Sequence, residues 1–343
     1  MPETRVATLD APKRFTVGKV ELAPPADGEV LVRVRDCGVC GSDLKMWAGT
    51  HAFLRPPLQL GHEIYGVVEE IGGAPDGFEL GASVVVFPPI GCDQCYQCRT
   101  GHPQLCADMR FVGGQLPGGL AERVVVPAAN LLRVPDRVPE HQRVLVEPLA
   151  VAVHAVSRAA VVEGEGAVVV GAGAIGLFTA LVARARGLAG VVVGEPSPAR
   201  RQRAEALGLT TFDPREITLA DAVAALIRPE GADVVFECVG SQDTIAAALA
   251  ATRKGGRTVI VGNAPASLEI SGLELQRGDR SLVGVLMYEL SDLIDGMDLL
   301  AGGLLGPETD ETIVQPYALD EVGEAFTAAK DGTLDAVRAV VRP

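Results

Sequence analysis

The chain has 343 residues, 48% of them hydrophobic and 22% charged, which allows two folded domains and excludes a disordered protein. Its 30 basic and 44 acidic residues leave a net charge of −14. Because an acidic surface repels phosphate groups and anionic lipids, we expect neither nucleic acid nor a membrane surface as a partner.

The first ten residues contain no apolar stretch that could act as a signal peptide. Residues 166–183 carry no charge, but their glycines and their change of apolar period indicate a strand, a tight turn and a helix rather than a membrane span. We therefore expect a cytoplasmic protein whose seven cysteines stay reduced.

The first 150 residues are predicted to be rich in β-strands, because short β-branched runs alternate with glycine and proline. The predicted strands of this part are Val30–Val34, Tyr65–Ile71, Ser83–Phe87 and Ala121–Val126.

From about Glu163 the pattern changes to alternating strands and helices, and Ser197 and Thr218 are predicted to be N-caps. Repeated βα units predict a doubly wound parallel sheet. The chain end is mixed in character and includes a predicted helix at Leu319–Lys330. The predicted strands of the βα region are Ala167–Val170, Val191–Gly194, Ala232–Val239 and Arg257–Val261, and its predicted helices are Ile175–Arg186, Pro198–Leu207, 218–227 and Asp243–Thr252.

A glycine-rich turn follows the first strand of the βα region. Gly171, Gly173 and Gly176 have the G-x-G-x-x-G spacing, which permits a tight turn, close approach of a pyrophosphate and close packing of the helix on the sheet. With Ala174 and Ile175 they place the free N–H groups of a helix N-terminus beside an anion. The turn is therefore predicted to bind a dinucleotide.

Glu195 stands nineteen residues after Gly176, at the end of the next predicted strand. A carboxylate there accepts hydrogen bonds from a ribose diol and repels a 2′-phosphate, so NAD is favoured over NADP. Arg200 has two interpretations: it contacts the adenosine or a 2′-phosphate, or it is a solvated charge on a helix.

Four cysteines, Cys92, Cys95, Cys98 and Cys106, are clustered in one segment. Four thiolates from a single loop suit a tetrahedral zinc ion without an open coordination position, so the predicted site is structural. A zinc ribbon that binds nucleic acid is the alternative, and the acidic net charge argues against it.

Three further segments complete an ordered set of motifs. Residues 37–43 read Cys-Gly-Val-Cys-Gly-Ser-Asp, residues 61–63 read Gly-His-Glu, and residues 147–149 read Glu-Pro-Leu. Together with the cysteine cluster and the glycine turn, they show that the chain resembles the zinc-dependent medium-chain alcohol dehydrogenases over essentially its whole length. The resemblance is specifically to the polyol (sorbitol-like) and threonine dehydrogenase branch.

This resemblance implies an α/β protein with a GroES-like, β-rich catalytic domain and a Rossmann cofactor domain with a doubly wound parallel sheet. The catalytic domain is expected at residues 1–150, completed by residues 290–343, and the Rossmann domain at residues 151–289. The resemblance also implies two zinc ions per chain, one catalytic and one structural, and a homo-oligomer, either a dimer or a tetramer.

It further implies that Cys40 and His62 bind the catalytic zinc, with Glu63, Glu147 or both completing the ligands. Asp43 is expected to orient one of those ligands by a hydrogen bond.

Two residues near Cys40 bear on proton transfer. Ser42 matches the hydroxyl that passes the alcohol proton towards the nicotinamide ribose. Lys45 stands where many relatives have a histidine that ends this proton path, and it is either a surface charge, a contact to cofactor or substrate, or the end of the relay. Cys37 and Cys238 have no partner in this scheme and are interpreted as small apolar fillers.

The predicted reaction is hydride transfer between a secondary alcohol and NAD, with a small-molecule alcohol or ketone as substrate. A carboxylate among the zinc ligands makes the metal harder, which favours a polyol, sugar or cyclitol. Residues 284–288, Gly-Val-Leu-Met-Tyr, lack the arginine common in polyol dehydrogenases, which argues against sorbitol itself. A threonine-type amino-alcohol 3-dehydrogenase shares every motif and is the alternative. A non-catalytic dinucleotide-binding module is a further alternative, against which the zinc residues argue.

Overall fold

The chain forms two units in a computed structural model, which describes residues 3–73, 77–306 and 313–343. One, here called the split unit, consists of Met1–Glu147, Glu289–Gly302 and Pro307–Pro343, and the other, the central unit, of Pro148–Tyr288 and Gly303–Gly306. Their main borders fall at 147/148 and 288/289, against the 150/151 and 289/290 expected from the sequence. The short segment Gly303–Gly306, expected with the chain end, belongs to the central unit.

Strands dominate the first part of the split unit, and its helices are brief. The strands are β1 Glu3–Ala11, β2 Arg14–Glu21, β3 Glu29–Gly38, β4 Glu63–Ile71, β5 Ser83–Val86, β6 Pro89–Ile90, β7 Arg110–Phe111, β8 Arg123–Pro127 and β9 Leu131–Arg133, and the helices are α1 Gly41–Trp47 and α2 Tyr96–Arg99.

Strands and helices then alternate in the central unit. The helices are α3 Val146–Arg158, which begins just before the border, α4 Ala174–Ala185, α5 Pro198–Ala206, α6 Leu219–Leu226, α7 Gln242–Ala251 and α8 Gly272–Arg277, and the strands are β10 Gly166–Val170, β11 Gly190–Gly194, β12 Thr210–Phe212, β13 Ala232–Glu237, β14 Thr252–Ile260 and β15 Ser281–Gly284.

The chain end returns to the split unit and contributes strands to its main sheet. Its elements are α9 Leu290–Ala301, β16 Val314–Ala318, α10 Val322–Asp331 and β17 Arg338–Arg342. The sheet has the order β16-β17-β3-β4-β5-β9, and β8 also pairs with β3. Apolar side chains from the first part of the chain, such as Val32 and Ile64, pack in one core with side chains from its last part, such as Phe326.

The register of this sheet brings three separate segments together. Gly38 of β3 lies opposite Glu63 of β4 on one side and opposite Val340 of β17 on the other. The end of β3, the start of β4 and the middle of β17 therefore share one corner of the sheet.

The central unit has a six-stranded sheet in the order β12-β11-β10-β13-β14-β15, and every neighbouring pair is parallel. Counted along the chain this order is 3-2-1-4-5-6, the order of a Rossmann dinucleotide-binding domain. Val168 and Val235 in its middle strands are fully buried, as expected for a parallel sheet covered on both faces.

Several predicted element bounds need correction. The strand predicted at Ala232–Val239 ends at Glu237, because the Glu237 carboxylate accepts hydrogen bonds from the N–H groups of Val239 and Gly240 and turns the chain. The helix predicted at Leu319–Lys330 begins as a 3₁₀ turn and becomes α-helical only from Val322.

Both predicted N-cap residues occupy that position, but only Thr218 caps its helix with a side-chain hydrogen bond. Thr218 accepts a hydrogen bond from the Asp221 N–H, as a capping side chain does. Ser197 occupies the N-cap position without a side-chain capping bond, and its own N–H donates to Glu195 instead. The hairpin of β1 and β2 was not predicted, because β2 is largely exposed and lacks an apolar run.

In the part of the chain that the structure describes, no helix combines the length and apolar character needed to cross a bilayer.

Candidate active site and metal centres

A buried cysteine–histidine–aspartate arrangement forms where β3 leads into α1. Cys40 is the N-cap of α1, and its N–H donates to Asp43 Oδ2 at 3.0 Å. Asp43 Oδ1 lies 3.2 Å from His62 Nδ1, within ion-pair distance, and neither of these two buried atoms has a well-aligned hydrogen-bond partner among the described residues. The fully buried Asp43 thus fixes the start of the helix and lies against the imidazole of His62.

The charges of this arrangement favour a thiolate on Cys40 and a proton on His62, which a metal ion would displace. Burial alone lowers the pKa of His62, but the Asp43 carboxylate and the Cys40 thiol outweigh it and raise that pKa well above its usual value. Burial raises the pKa of the Cys40 thiol, yet His62 and the Arg338 guanidinium overcome it and lower the pKa to about 6. Cys40 is therefore a thiolate at neutral pH, the form that binds metals.

Glu63 completes a group of three possible ligands. One ligand atom from each of Cys40, His62 and Glu63 lies within 4.8 Å of the other two. Both oxygens of the Glu63 carboxylate also accept hydrogen bonds from Arg338, from Nε at 2.7 Å and from Nη2. A carboxylate oxygen has a second lone pair, so this ion pair leaves the carboxylate able to bind a cation.

The route from Glu63 to Arg338 crosses Gly38. A Cβ atom on Gly38 would collide with Glu63 Oε2, so only glycine allows the carboxylate of β4 to pass over β3 towards β17. Arg338 was missed by the sequence reasoning. It lies 275 residues from Glu63, and no local pattern signals the pairing.

The remaining expected residues lie at different depths. Glu147 is buried, 5% exposed, near the start of α3, but it is not part of the three-ligand group within 4.8 Å. Ser42 is half-buried in the first turn of α1, and Lys45, further along that helix, is exposed.

These residues fit a zinc ion. A thiolate, an imidazole nitrogen and a carboxylate oxygen are the donors that catalytic zinc sites use, with one position left for water or substrate. The Asp43–His62 contact is the carboxylate–histidine arrangement that holds metal-binding imidazoles.

The four-cysteine cluster forms a second group with ligand geometry. The Sγ atoms of Cys92, Cys95, Cys98 and Cys106 all lie within 4.8 Å of one another. Two hydrogen bonds from the backbone to sulfur shape the loop. The N–H groups of Cys95 and Cys98 each donate to the Sγ atom of the cysteine three residues earlier, at 3.4 Å.

The surroundings shift the pKa values of two of these thiols in opposite directions. N–H groups of Gln94 and Cys95 lower the pKa of Cys92 to about 7, whereas burial and the thiol of Cys95 raise the pKa of Cys98 to about 12. Four thiolates can share this loop only when a cation offsets their repulsion. The geometry and the donor chemistry therefore both fit a closed zinc site.

Of the two other cysteines, Cys37 is buried and Cys238 is half-buried. Burial raises the pKa of Cys37 well above its usual value, and burial raises that of Cys238 to about 12.

The glycine turn of the central unit has the form of a nucleotide-binding loop. Gly171 has φ +95°, a conformation that favours glycine, and a Cβ on Gly176 would collide with the Gly171 carbonyl. Gly173, the N-cap of α4, faces open space with no atom within 4 Å of a Cβ position. A pyrophosphate therefore fits against Gly173, at the free N–H groups of α4 that include those of Ala174 and Ile175.

Glu195 is held beside this loop by two main-chain bonds. Its Oε2 accepts from the Ala172 N–H at 2.8 Å, and its Oε1 accepts from the Ser197 N–H at 2.9 Å. The carboxylate is 3% exposed and directly follows β11, the second strand of the sheet along the chain. Arg200 is half-buried, with no side-chain partner in the described ranges.

Two family models match the chain. The alcohol dehydrogenase GroES-like domain matches residues 26–136, and the zinc-binding dehydrogenase domain matches residues 174–302.

Known proteins resemble the chain over its length. A 2-dehydro-3-deoxy-L-galactonate 5-dehydrogenase of Pseudoalteromonas atlantica is 34% identical over 330 residues, 96% of each chain. An L-threonine 3-dehydrogenase of Pyrococcus furiosus is 34% identical over 278 residues, 79% of each chain. The crystal structure of a zinc-binding dehydrogenase from Sinorhizobium meliloti bound to NADP superposes with a TM-score of 0.91 at 29% identity, covering 100% of both chains.

The chain belongs to the zinc-dependent medium-chain alcohol dehydrogenase family, with a GroES-like domain and a Rossmann domain. It is an oxidoreductase that acts on the CH–OH group of a secondary alcohol, as the sequence predicted.

Proposed function

We propose that this enzyme oxidises one secondary hydroxyl of a polyhydroxylated substrate, a polyol, sugar, sugar acid or cyclitol, and that it uses NAD. The observation that carries the proposal is the Cys40–His62–Glu63 group, whose carboxylate gives the metal a hard donor suited to oxygen-rich substrates. The similarity to a dehydrogenase of a deoxy-sugar acid supports the same substrate class.

Zinc bound by Cys40, His62 and Glu63 would supply a Lewis acid that lowers the pKa of the substrate hydroxyl. Asp43 would keep His62 oriented for this role, and Arg338 would hold Glu63. The half-buried Ser42 hydroxyl would receive the substrate proton. NAD on the Gly171–Gly176 loop would supply the hydride acceptor.

Two zinc ions per chain are part of the proposal. Metal analysis should give a ratio of about two, and Cys95→Ala should lose one zinc together with stability, because structural zinc couples to folding. Cys40→Ala or His62→Ala should keep that ion and lose turnover. A single zinc that persists in Cys40→Ala would contradict the assignment.

The preference for NAD rests on the Glu195 carboxylate. We expect kcat/KM for NAD to exceed that for NADP by about tenfold or more, since a 2′-phosphate would face this carboxylate. Glu195→Ser should narrow the difference. Equal values in the unaltered enzyme would show that the Glu195 carboxylate does not select against the 2′-phosphate.

The proton path is tested by two variants of α1. Ser42→Ala should lower kcat by roughly 100-fold, because the hydroxyl bridge is lost. Lys45 is exposed, which supports its interpretation as a surface charge, so Lys45→Ala should leave kcat nearly unchanged at every pH. A loss in Lys45→Ala that small amines restore would instead identify a relay lysine.

The substrate class is tested by NAD reduction against polyols, sugar acids, cyclitols and amino alcohols. Faster turnover of L-threonine than of every polyhydroxylated compound would favour the alternative, a threonine-type 3-dehydrogenase. The 34% identity to such an enzyme is the observation that supports this alternative. Sedimentation of the full chain would check the expected homo-oligomer, dimer or tetramer.

A further inference from the structure

A cluster of two arginines and one aspartate lies beside Glu195 in the central unit. The parallel register pairs Gly194 of β11 with Phe212 of β12, so the residues that follow, Glu195 and Asp213, emerge side by side at the carboxyl edge of the sheet. The cluster consists of Asp213, Arg201 and Arg215, and we call it the arginine clasp.

Asp213 is the centre of the arginine clasp. Its side chain is 4% exposed, and it lies 3.0 Å from Arg201 Nη1. Arg215 binds it with two nitrogens, Nε to Oδ1 at 2.9 Å and Nη2 to Oδ2 at 2.5 Å. The hydrogen bonds from Arg215 hold the pKa of Asp213 well below its usual range, so the carboxylate is charged at neutral pH.

The same two arginines also donate hydrogen bonds to main-chain carbonyls. Arg201 Nη1 donates to the Glu195 carbonyl at 2.7 Å and to the Pro196 carbonyl at 2.9 Å. Arg215 Nη2 donates to the same Pro196 carbonyl at 2.6 Å. Both guanidinium groups are thus bound to the loop that carries Glu195.

This arrangement matters for the choice of cofactor. A Rossmann domain that accepts NADP offers an arginine to the 2′-phosphate near the position of the ribose-binding acid. Here two arginines are close to that position, yet their charge is shared with Asp213. Arg201 Nη1 and the Nε and Nη2 of the more exposed Arg215 are directed to Asp213 and to carbonyls.

We propose that Asp213 is a specificity-determining residue of the nucleotide site, which withholds Arg201 and Arg215 from a 2′-phosphate and so favours NAD over NADP. This inference rests on the proposed function, in which Glu195 receives the adenosine ribose. It adds a second determinant, placed on the neighbouring strand.

The test compares two probes that differ only in the 2′-phosphate, 5′-AMP and adenosine 2′,5′-bisphosphate, by calorimetric titration of the full-length protein. Asp213→Asn should tighten binding of the bisphosphate about tenfold through released charge-assisted hydrogen bonds, and should change 5′-AMP binding less than about twofold. Adding both Arg201→Gln and Arg215→Gln to Asp213→Asn should abolish the gain. A gain that survives the loss of both arginines would mean that removal of negative charge alone is responsible, which overturns the proposal.

Asp233→Asn is a matched control. Asp233 also holds two arginines, Arg228 at 2.8 Å and Arg253 at 2.5 Å, but it binds the Gly166 N–H at the opposite, amino-terminal end of the sheet. The ratio of the two dissociation constants should stay unchanged in this variant. An equal change of the ratio in Asp213→Asn and Asp233→Asn would overturn the proposal.

The double variant Arg201→Gln/Asp213→Asn covers the case in which Asp213→Asn alone does not fold, because it removes the Asp213 charge together with that of one of its two arginines. Arg215 is then the one released guanidinium of the clasp, and a smaller selective gain for the bisphosphate, about threefold, is expected. No gain would reject the role of Asp213. The ratio in the unaltered protein reports separately on the proposed function: tighter binding of the bisphosphate there would contradict the NAD preference, while the change on substitution still measures Asp213.

Discussion

At the scale of single residues, the candidate metal site requires glycine at position 38, because a side chain there would collide with Glu63. The carboxylate of Glu63 lies over this glycine on its way to Arg338. The sequence showed Gly38 only as part of a cysteine motif, and its packing role became visible when β3 was found between β4 and β17.

Gly38→Ala should therefore destabilise the protein by about 1–3 kcal/mol, the usual cost of overpacking a close-packed site. The displaced Glu63 should also reduce the zinc retained on dialysis. Urea unfolding and metal analysis measure both effects. Gly18→Ala is the control, because Gly18 lies in β2 with nothing within 4 Å of its Cβ position. Equal stability of the two variants would contradict the packing argument.

At the scale of elements, β17 joins the chain end to the candidate active site through one ion pair. Arg338 is 9% exposed and Glu63 is fully buried. Removing one partner of a buried pair leaves the other charge without compensation, which is costly.

We expect Arg338→Met to lower the free energy of unfolding by about 3–5 kcal/mol. Arg342→Met on the same strand removes the pair with Asp36, in which the arginine is 46% exposed, and should cost less than about 1 kcal/mol. Denaturant titration of the two variants gives the comparison. Similar losses in both would indicate that the strand itself, and not the buried charge, is sensitive.

In the central unit, Asp233 ties together the starts of separate elements. Burial raises the pKa of Asp233, but hydrogen bonds from Arg253 and the Gly166 N–H outweigh it and lower the pKa below its usual value. A carboxyl group with a lowered folded pKa stabilises the folded state above its unfolded pKa, and this contribution disappears as the pH falls through the folded value.

The unaltered protein should accordingly exceed Asp233→Asn in stability by about 1–3 kcal/mol at pH 7. The difference should begin to shrink as the pH falls below about 3.9, the pKa of an unfolded aspartate. Unfolding titrations of both proteins across this range measure it. A difference that stays constant on acidification would show that the charge of Asp233 is not the source.

At the scale of the whole molecule, the two units contain separate binding features. The four-cysteine cluster belongs to the split unit, and the glycine turn with Glu195 belongs to the central unit. Ligands that act on one unit should therefore leave a local signature.

Hydrogen exchange of the full chain should show these signatures separately. Adding 5′-AMP should slow exchange in residues 171–176 and 195–197, because bound nucleotide stabilises the state that binds it. Dialysis against a chelator should speed exchange in residues 92–106, because the metal stabilises its loop. Protection of the cysteine loop by 5′-AMP, without protection of the glycine turn, would contradict the placement of the nucleotide.

The sequence by itself determined the features whose parts lie close together in the chain. The cysteines of residues 92–106 and the glycine turn depend on short spacings, so chain geometry alone brings their atoms together. The alternation of strands and helices likewise fixed the parallel sheet, because each βα unit is a local pattern.

Only the tertiary structure decided the pairings between distant segments. It placed Glu63, and not Glu147, in the group with Cys40 and His62, and it brought Arg338 to that group from the chain end. It also set Asp213 beside Glu195 through the register of β11 and β12. Such contacts depend on which strands are neighbours and on the register in which they pair. The spacing of residues within a single segment encodes neither, because the packing of the whole core selects the long-range pairing.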